Sequence, residues 1–442
     1  MALLYRLACI VLLLFLCNAP FLTPGPVQLI VLIFWFLFIN FKPRPKDGAY
    51  DTPRLRHMMG GYELFVISAW LIAADILFWA WTLPHLEPVR DVTVPNLLVT
   101  VLLTLALLFV LLCNGFFRIL FTSTRLRIVL RVLLICLWWC PIVNLVLLRK
   151  ACRLVKAEYR FELAKQELND MRQENEVCKT KYPIVLVHGI FFRDWQLVNY
   201  WGRIPKELTR NGADIHYGGQ QSAAAVAASA AELKETVRKV LAETGAEKVN
   251  LIAHSKGGLD ARYAISRLGL APYVASLTTI NTPHRGCIFA QTLMDKLPAA
   301  LLHWMEQKYN AVFHTLGDKA PDFLAGVTDL RADTCARFND EVPDAQGVLY
   351  QSVMSTMRRA GSAPPPLNFT YLLVKRYDKE PNDGLVALSS AQWGHYLGSF
   401  TAPHKRGISH GDIIDLMRED IDGFDVREFY VGLVRDLKNR GL

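Results

Sequence analysis

The chain has 442 residues, 52% of them hydrophobic, and a positive mean hydropathy of +0.21, which excludes a disordered or uniformly polar protein and puts part of it in lipid. The net charge of +9 does not mark a nucleic-acid binder. Up to Lys150 thirteen Lys or Arg stand against six Asp or Glu, giving +7, and the remaining 36 against 34 give only +2.

Apolar runs occur at about 3–18, 27–41, 63–83, 94–117 and 128–148, each near the length that crosses a hydrocarbon core. Residues 1–148 therefore read as an all-α transmembrane region of about five spans, integral to the cell membrane. The first run has no small-x-small pattern before Asn18-Ala-Pro and four more come after it, unlike a cleaved leader. Lys42, Arg44, Lys46, Arg54 and Arg56, then Arg118, Arg125 and Arg127, have the pattern of cytoplasmic flanks. With five spans, the domain beyond residue 148 lies on the extracytoplasmic side. Arg149, Lys150, Arg153 and Lys156 oppose that side, and a re-entrant 128–148, interrupted by Pro141, would leave the next domain cytoplasmic. Asp75 is an acid inside an apolar span, either functional or facing neighbouring helices. Six of the nine cysteines sit in or beside apolar runs, and no C-x-x-C pair or zinc spacing occurs, so they read as small buried hydrophobes.

Residues 149–181 turn densely charged and read as a helical linker. From 182 to 442 the pattern is that of an α/β domain. Strands are expected at Ile184–His188, Asp214–Tyr217, around Val249–Ile252 and at Val274–Ile280, with helices at Trp195–Arg210, Ser222–Thr244 and after Ser255. Such alternation gives a mostly parallel sheet with helices on both faces, and ligands bind beyond the carboxyl ends of its strands. A helical insert comes next at about 287–340, its apolar stripe of Phe289, Leu293, Leu297 and Leu301 broken at Pro298. Strands resume at Leu349–Ser355 and Phe369–Tyr377.

Within Lys248–Tyr263 the segment Ala253-His254-Ser255-Lys256-Gly257 sets a serine at a strand-to-helix turn with small residues two positions to either side, the form of a nucleophile elbow. A serine hydroxyl needs a histidine to take its proton and a carboxylate to orient that histidine. In doubly wound hydrolases the acid follows a late strand and the histidine comes last. Asp383, in the Asn-Asp-Gly turn, is preferred over Asp378 and Glu380, and His410 over His395 and His404. The oxyanion calls for backbone N–H donors, assigned to Lys256 at the helix start and to Ile190 after His188-Gly189. His188 and His254 are expected to pack the elbow, and Arg285 to hydrogen-bond near it.

Val187-His188-Gly189, Val249–Tyr263, Thr282-Pro283-His284-Arg285-Gly286, Asn382–Val386 and His410 with Asp412 together resemble the bacterial triacylglycerol lipases of the α/β-hydrolase superfamily, over about Tyr182–Leu442. That resemblance implies the α/β-hydrolase fold, a triad of Ser255, Asp383 and His410, oxyanion donors Ile190 and Lys256, and a lid at about 287–340. Lys256 departs from the usual Met, Gln or Leu, a charge that would alter the acyl pocket. The resemblance also offers Asp412 as one ligand of a structural calcium, but Met357–Phe369 holds no acid to be the second, so no cofactor is expected. The reading is a membrane-anchored serine hydrolase cleaving lipid carboxylic esters, with a bilayer and no nucleic acid as partner. Its alternatives are a deacylase of a lipid-linked glycan or phosphoinositide and, in another class, a transporter or scaffold whose hydrolase domain is inactive.

Overall fold

A computed structural model describes residues 2–85, 94–126, 128–190, 200–221, 223–315, 321–403 and 405–442, and the chain forms two compact units, Met1–Leu168 and Asn169–Leu442. Helix α1 (Ala2–Cys17), α2 (Pro26–Phe41), α3 (Pro53–Thr82), α4 (Val94–Thr122), α5 (Ile128–Cys136) and α6 (Pro141–Gln173) make up the first unit, α6 running on past its boundary. Two stretches, Pro53–Thr82 and Pro95–Thr122, are long and apolar enough to cross a membrane by length and composition, and Leu3–Cys17 and Pro26–Phe41 are shorter apolar helices.

The apolar run 128–148 is not one helix. It breaks over 137–140, where Pro141 lacks the N–H that would continue the ladder and starts a new helix instead. The run is a short helix, a turn and the first turns of α6, and α6 continues through the charged stretch as far as Gln173. Leu130 and Leu134 pack with Ala151 and Val155 in one core with Leu55, Met58 and Ile119. The Glu158 carboxylate accepts from Arg54 Nη1 (2.6 Å), Ser123 Oγ (2.6 Å) and the N–H groups of Thr124 (3.0 Å) and Arg125 (3.1 Å). Burial alone would raise its pKa, but these donors hold it below the ordinary value. At the other end of the same helices Phe21 meets Trp79 at 5.2 Å, and Asp75, half-buried, accepts from Asn18 Nδ2 at 2.7 Å.

In the second unit six strands form one sheet, β1 (Ile184–Val187), β2 (Ile215–Tyr217), β3 (Val249–His254), β4 (Val274–Ile280), β5 (Leu349–Ser355) and β6 (His395–Phe400), in the order β2-β1-β3-β4-β5-β6 with every pair parallel. Alternation along β1 assigns the faces. Ile184 and Leu186 join a core with α7 (Ile204–Arg210) and the C-terminal helix Val426–Asn439, while Val185 and Val187 join one with α8 (Val226–Thr244) and α9 (Gly257–Arg267). The insert is helical over most of its described residues, α10 (Ile288–Lys296), α11 (Ala299–Thr315), α12 (Phe323–Thr328) and α13 (Ala332–Glu341), with the expected break at Pro298.

Two expectations fail in this unit. Phe369–Tyr377, read as a strand, lies in helix α14 (Leu367–Tyr377), which comes after three prolines, buries Tyr371 and Val374 three apart, and carries Lys375 and Arg376 in its last turn, where they suit a helix C-terminus. The last strand is instead His395–Phe400, an edge strand whose residues are only partly buried. The helix expected over Trp195–Arg210 is observed as Ile204–Arg210, and residues 191–199 lie outside the described residues, as does His404.

Candidate active site

β3 ends at His254 and α9 begins at Gly257, so Ser255 turns the chain between them with φ +56°, a left-handed conformation that costs a non-glycine residue about 1–2 kcal/mol. The turn closes because its neighbours lack side chains. A Cβ on Gly257 would stand 2.3 Å from the His188 carbonyl oxygen, and one on Gly189 would stand 2.7 Å from Ser255 Cβ. The Ser255 N–H donates to Ile280 O at 3.0 Å, which ties the turn to the end of β4.

Asp383 is fully buried and all of its carboxylate capacity is directed. Oδ1 accepts from the N–H groups of Leu385 and Val386 at 2.8 Å each, and Oδ2 accepts from Asn281 Nδ2 and pairs with His410 Nδ1, both at 2.6 Å. The His410 N–H also donates to Asp383 O at 2.8 Å, so the histidine is held at both its backbone and its ring. With Nδ1 bound to the acid, Nε2 is the nitrogen left to take a proton. The His410 ring lies 4.4 Å from that of His254, the residue immediately before Ser255. Among the described residues Ser255 Oγ makes no hydrogen bond, as is common before substrate binds. The rivals are elsewhere: Glu380 accepts from Ser389 N, and His395 is exposed on β6.

Ile190 is buried beside the elbow, with its Cδ1 against Gly326 of α12. Tyr200 OH accepts from Gly189 N–H (3.1 Å) and pairs with His254 Nδ1 (2.6 Å), so the loop bearing Ile190 is pinned to the residue preceding the serine. Burial holds the His254 imidazole well below its ordinary pKa and the neighbouring His410 pushes the same way, so His254 stays neutral and packs the elbow. His188 pairs with Gln220 O through Nε2 at 2.9 Å. Arg285 reaches the carbonyls of Ser389 and Gln392, tying its loop to the 388–392 turn and not to the elbow.

The Lys256 side chain corrects one expectation. It does not enter an acyl pocket. Nζ turns into the protein, donating to Asp260 Oδ1 at 2.7 Å and Ser229 Oγ at 3.1 Å, and only its backbone is available to the elbow. Burial pushes the Asp260 carboxyl up to about 6, against the pull of Lys256. Asp412 accepts from Arg406 Nη2 (2.7 Å) and Ser409 N (3.0 Å); with a guanidinium already on one oxygen the donor set does not fit a calcium ion, and no three His, Cys, Asp or Glu side chains converge for a metal among the described residues.

Asn281 is the residue that reading the sequence missed. It ends β4 at φ +50°, and besides Asp383 it holds Ser355 through Nδ2 to Oγ (2.7 Å) and Oδ1 from N–H (2.8 Å), linking the ends of β4 and β5 to the acid. The available signal was an Asn directly after a strand, since Asn tolerates the left-handed region.

A family model described as alpha/beta hydrolase fold matches residues 182–406. Triacylglycerol lipase of Pseudarthrobacter phenanthrenivorans is 38% identical over 179 residues, covering 38% of this chain and 55% of that protein. Triacylglycerol lipase of Vibrio cholerae is 33% identical over 242 residues, covering 50% of this chain and 76% of that one. The chain spans about half the length of the first of these curated relatives. The crystal structure of Bacillus licheniformis lipase BlEst2 in mature form aligns with a TM-score of 0.43 at 21% identity, over 58% of this chain and 92% of that chain.

Proposed function

This chain belongs to the α/β-hydrolase family, and from that premise we propose that it is a membrane-anchored serine hydrolase cleaving carboxylic esters, with lipid esters as its substrates. The observation that carries the reading is the 2.6 Å pairing of His410 Nδ1 with the buried Asp383 beside the strained Ser255 turn. Ser255 Oγ attacks the ester carbonyl carbon while His410 Nε2 takes its proton, and the imidazolium formed is stabilised by Asp383. The N–H groups of Ile190 and Lys256 donate to the oxyanion, helped by the positive end of α9. His410 returns the proton to the leaving alcohol as the carbon–oxygen bond breaks, leaving an acyl group on Ser255. Water, deprotonated by the same histidine, releases the acid.

The likeness to triacylglycerol lipases supports ester substrates, and the two long apolar helices support attachment to a bilayer, which concentrates the site at a lipid surface. The insert Ile288–Glu341 covers the Ile190 side through Gly326 and is read as the lid. The buried, fully hydrogen-bonded acid favours an active hydrolase over a transporter with an inert domain, because an unused carboxylate in that setting would carry only its desolvation cost.

Labelling of membrane fractions with a fluorophosphonate probe tests the reading. The native chain is expected to label, and Ser255→Ala and His410→Ala to lose the label. A folded native chain that does not label overturns it.

A further inference from the structure

We infer that the run 128–148 enters one leaflet and returns, so that the chain crosses the bilayer four times and its α/β-hydrolase unit faces the cytoplasm. Helix α5 has nine residues and rises only ~13 Å, less than half of a hydrocarbon core of ~30 Å. The apolar start of α6, residues 141–148, is no longer. Trp138 and Trp139 are exposed at the tip, and Ile128, Val129, Ile142 and Leu145 are exposed along the two arms, so the hairpin presents an apolar surface that a lipid leaflet covers.

Contacts within the first unit decide where the hairpin returns. Glu158 of α6 receives Arg54 from the start of α3 and the 123–125 loop after α4. Arg44, between α2 and α3, reaches the Tyr159 hydroxyl at 3.2 Å. Near the start of α1, Arg6 pairs with Glu63 at 2.8 Å, and Arg118 donates to Asn40 O at 2.7 Å. These groups share one end of the bundle, while Asn18, the short helix Ala19–Leu22 and residues 75–79 share the other. α1, α2, α3 and α4 therefore alternate between the two ends, and the chain re-emerges at 149–160 at the end it left at 123. The segments 42–56, 118–127 and 149–156 carry twelve Lys or Arg, whereas the segments 18–25 and 83–93 carry only Arg90. An excess of that size marks the cytoplasmic side. The cluster at Arg149–Lys156, which contradicted a five-span topology, agrees with four. The later apolar runs are short strands of the sheet, such as Val274–Ile280 and Leu349–Ser355, far below the length of a span, so the second unit stays on that side.

On the hydrolase reading, on which this consequence rests, Ser255 draws its esters from the cytoplasmic leaflet and releases acid and alcohol there. The test uses the full chain in a bacterial host. Cells carrying Glu87→Cys or Lys239→Cys are treated with a membrane-impermeant maleimide, intact and after permeabilisation, with the native chain as background. Glu87→Cys is expected to label in intact cells, and Lys239→Cys at least tenfold more after permeabilisation than before. Full labelling of Lys239→Cys in intact cells, with the chain resisting carbonate extraction, overturns the sidedness and leaves the anchor standing. Release by carbonate overturns the anchor as well. Fluorophosphonate labelling of the permeabilised samples reads the hydrolase separately.

Discussion

Asn281→Asp exchanges one atom of near-equal size and reverses a hydrogen bond. In the native site Asp383 Oδ2 accepts from Asn281 Nδ2 at 2.6 Å, whereas the variant sets a second carboxylate there, and two buried like charges raise the proton affinity of the pair. Oδ1 remains to accept from Ser355 N–H, so the link to β5 survives. A hydrogen bond to a buried charge contributes about 1.5–3 kcal/mol, which is about a ten- to hundredfold loss if it is felt at the transition state. Hydrolysis of a p-nitrophenyl ester by the detergent-solubilised full chain should therefore show kcat down by that factor at alkaline pH with KM within about twofold. As pH falls the pair takes up a proton that bridges it, so the ratio of variant to native kcat should rise. Asn281→Gly keeps the +50° φ without strain and removes the donor altogether, and should lose activity with no such recovery. A folded Asn281→Asp with native kcat, or with a loss that is the same at every pH, refutes a positioning role.

Lys256→Met leaves Asp260 buried without its cation and should lower stability by about 3–5 kcal/mol, while Lys256→Met with Asp260→Leu recovers most of it; denaturant midpoints decide, and a double variant no better than the single one counts against the pair. Arg203 donates to Asp415 through N–H (2.8 Å), Nε (2.8 Å) and Nη2 (2.7 Å) and to Asp420 (2.8 Å), bracing the segment after His410. Arg203→Met should lower Tm clearly and slow fluorophosphonate labelling, and an unchanged Tm would remove that brace from the account. His284 is held well below its ordinary pKa by burial, with Arg262 and Arg285 adding to it. Its contribution is therefore present above about pH 6.5 and lost as pH falls, at up to about 1.4 kcal/mol per pH unit. Asp260, raised to about 6, works oppositely, its contribution present below about pH 3.9 and lost as pH rises through 6. The stability of native relative to His284→Asn should thus shrink between pH 6.5 and 5, and parallel curves would contradict it.

Local pattern was enough for much of the second unit. Val274–Ile280 and Leu349–Ser355 are apolar runs bounded by turn residues, and both form strands with the expected ends. The serine turn was legible because its chemistry is contiguous: a strand, a positive-φ serine and small neighbours lie within eight residues. Phe369–Tyr377 was misread because a short apolar and aromatic stretch fits either period, and burial of Tyr371 and Val374 together becomes visible only once a neighbouring surface exists. The edge strand His395–Phe400 offers little apolar alternation to find.

The sequence by itself determined the α/β class, the serine turn, the candidates Asp383 and His410, and the basic loops of the apolar half, since each rests on residue type and near spacing. Only the tertiary structure brought His410 to Asp383 across 27 positions, recruited Asn281 across 102, turned Lys256 inward to Asp260, and returned α6 to the end where Arg54 meets Glu158 across 104. These depend on which buried polar groups can satisfy one another, and that is settled by packing between elements far apart in the chain.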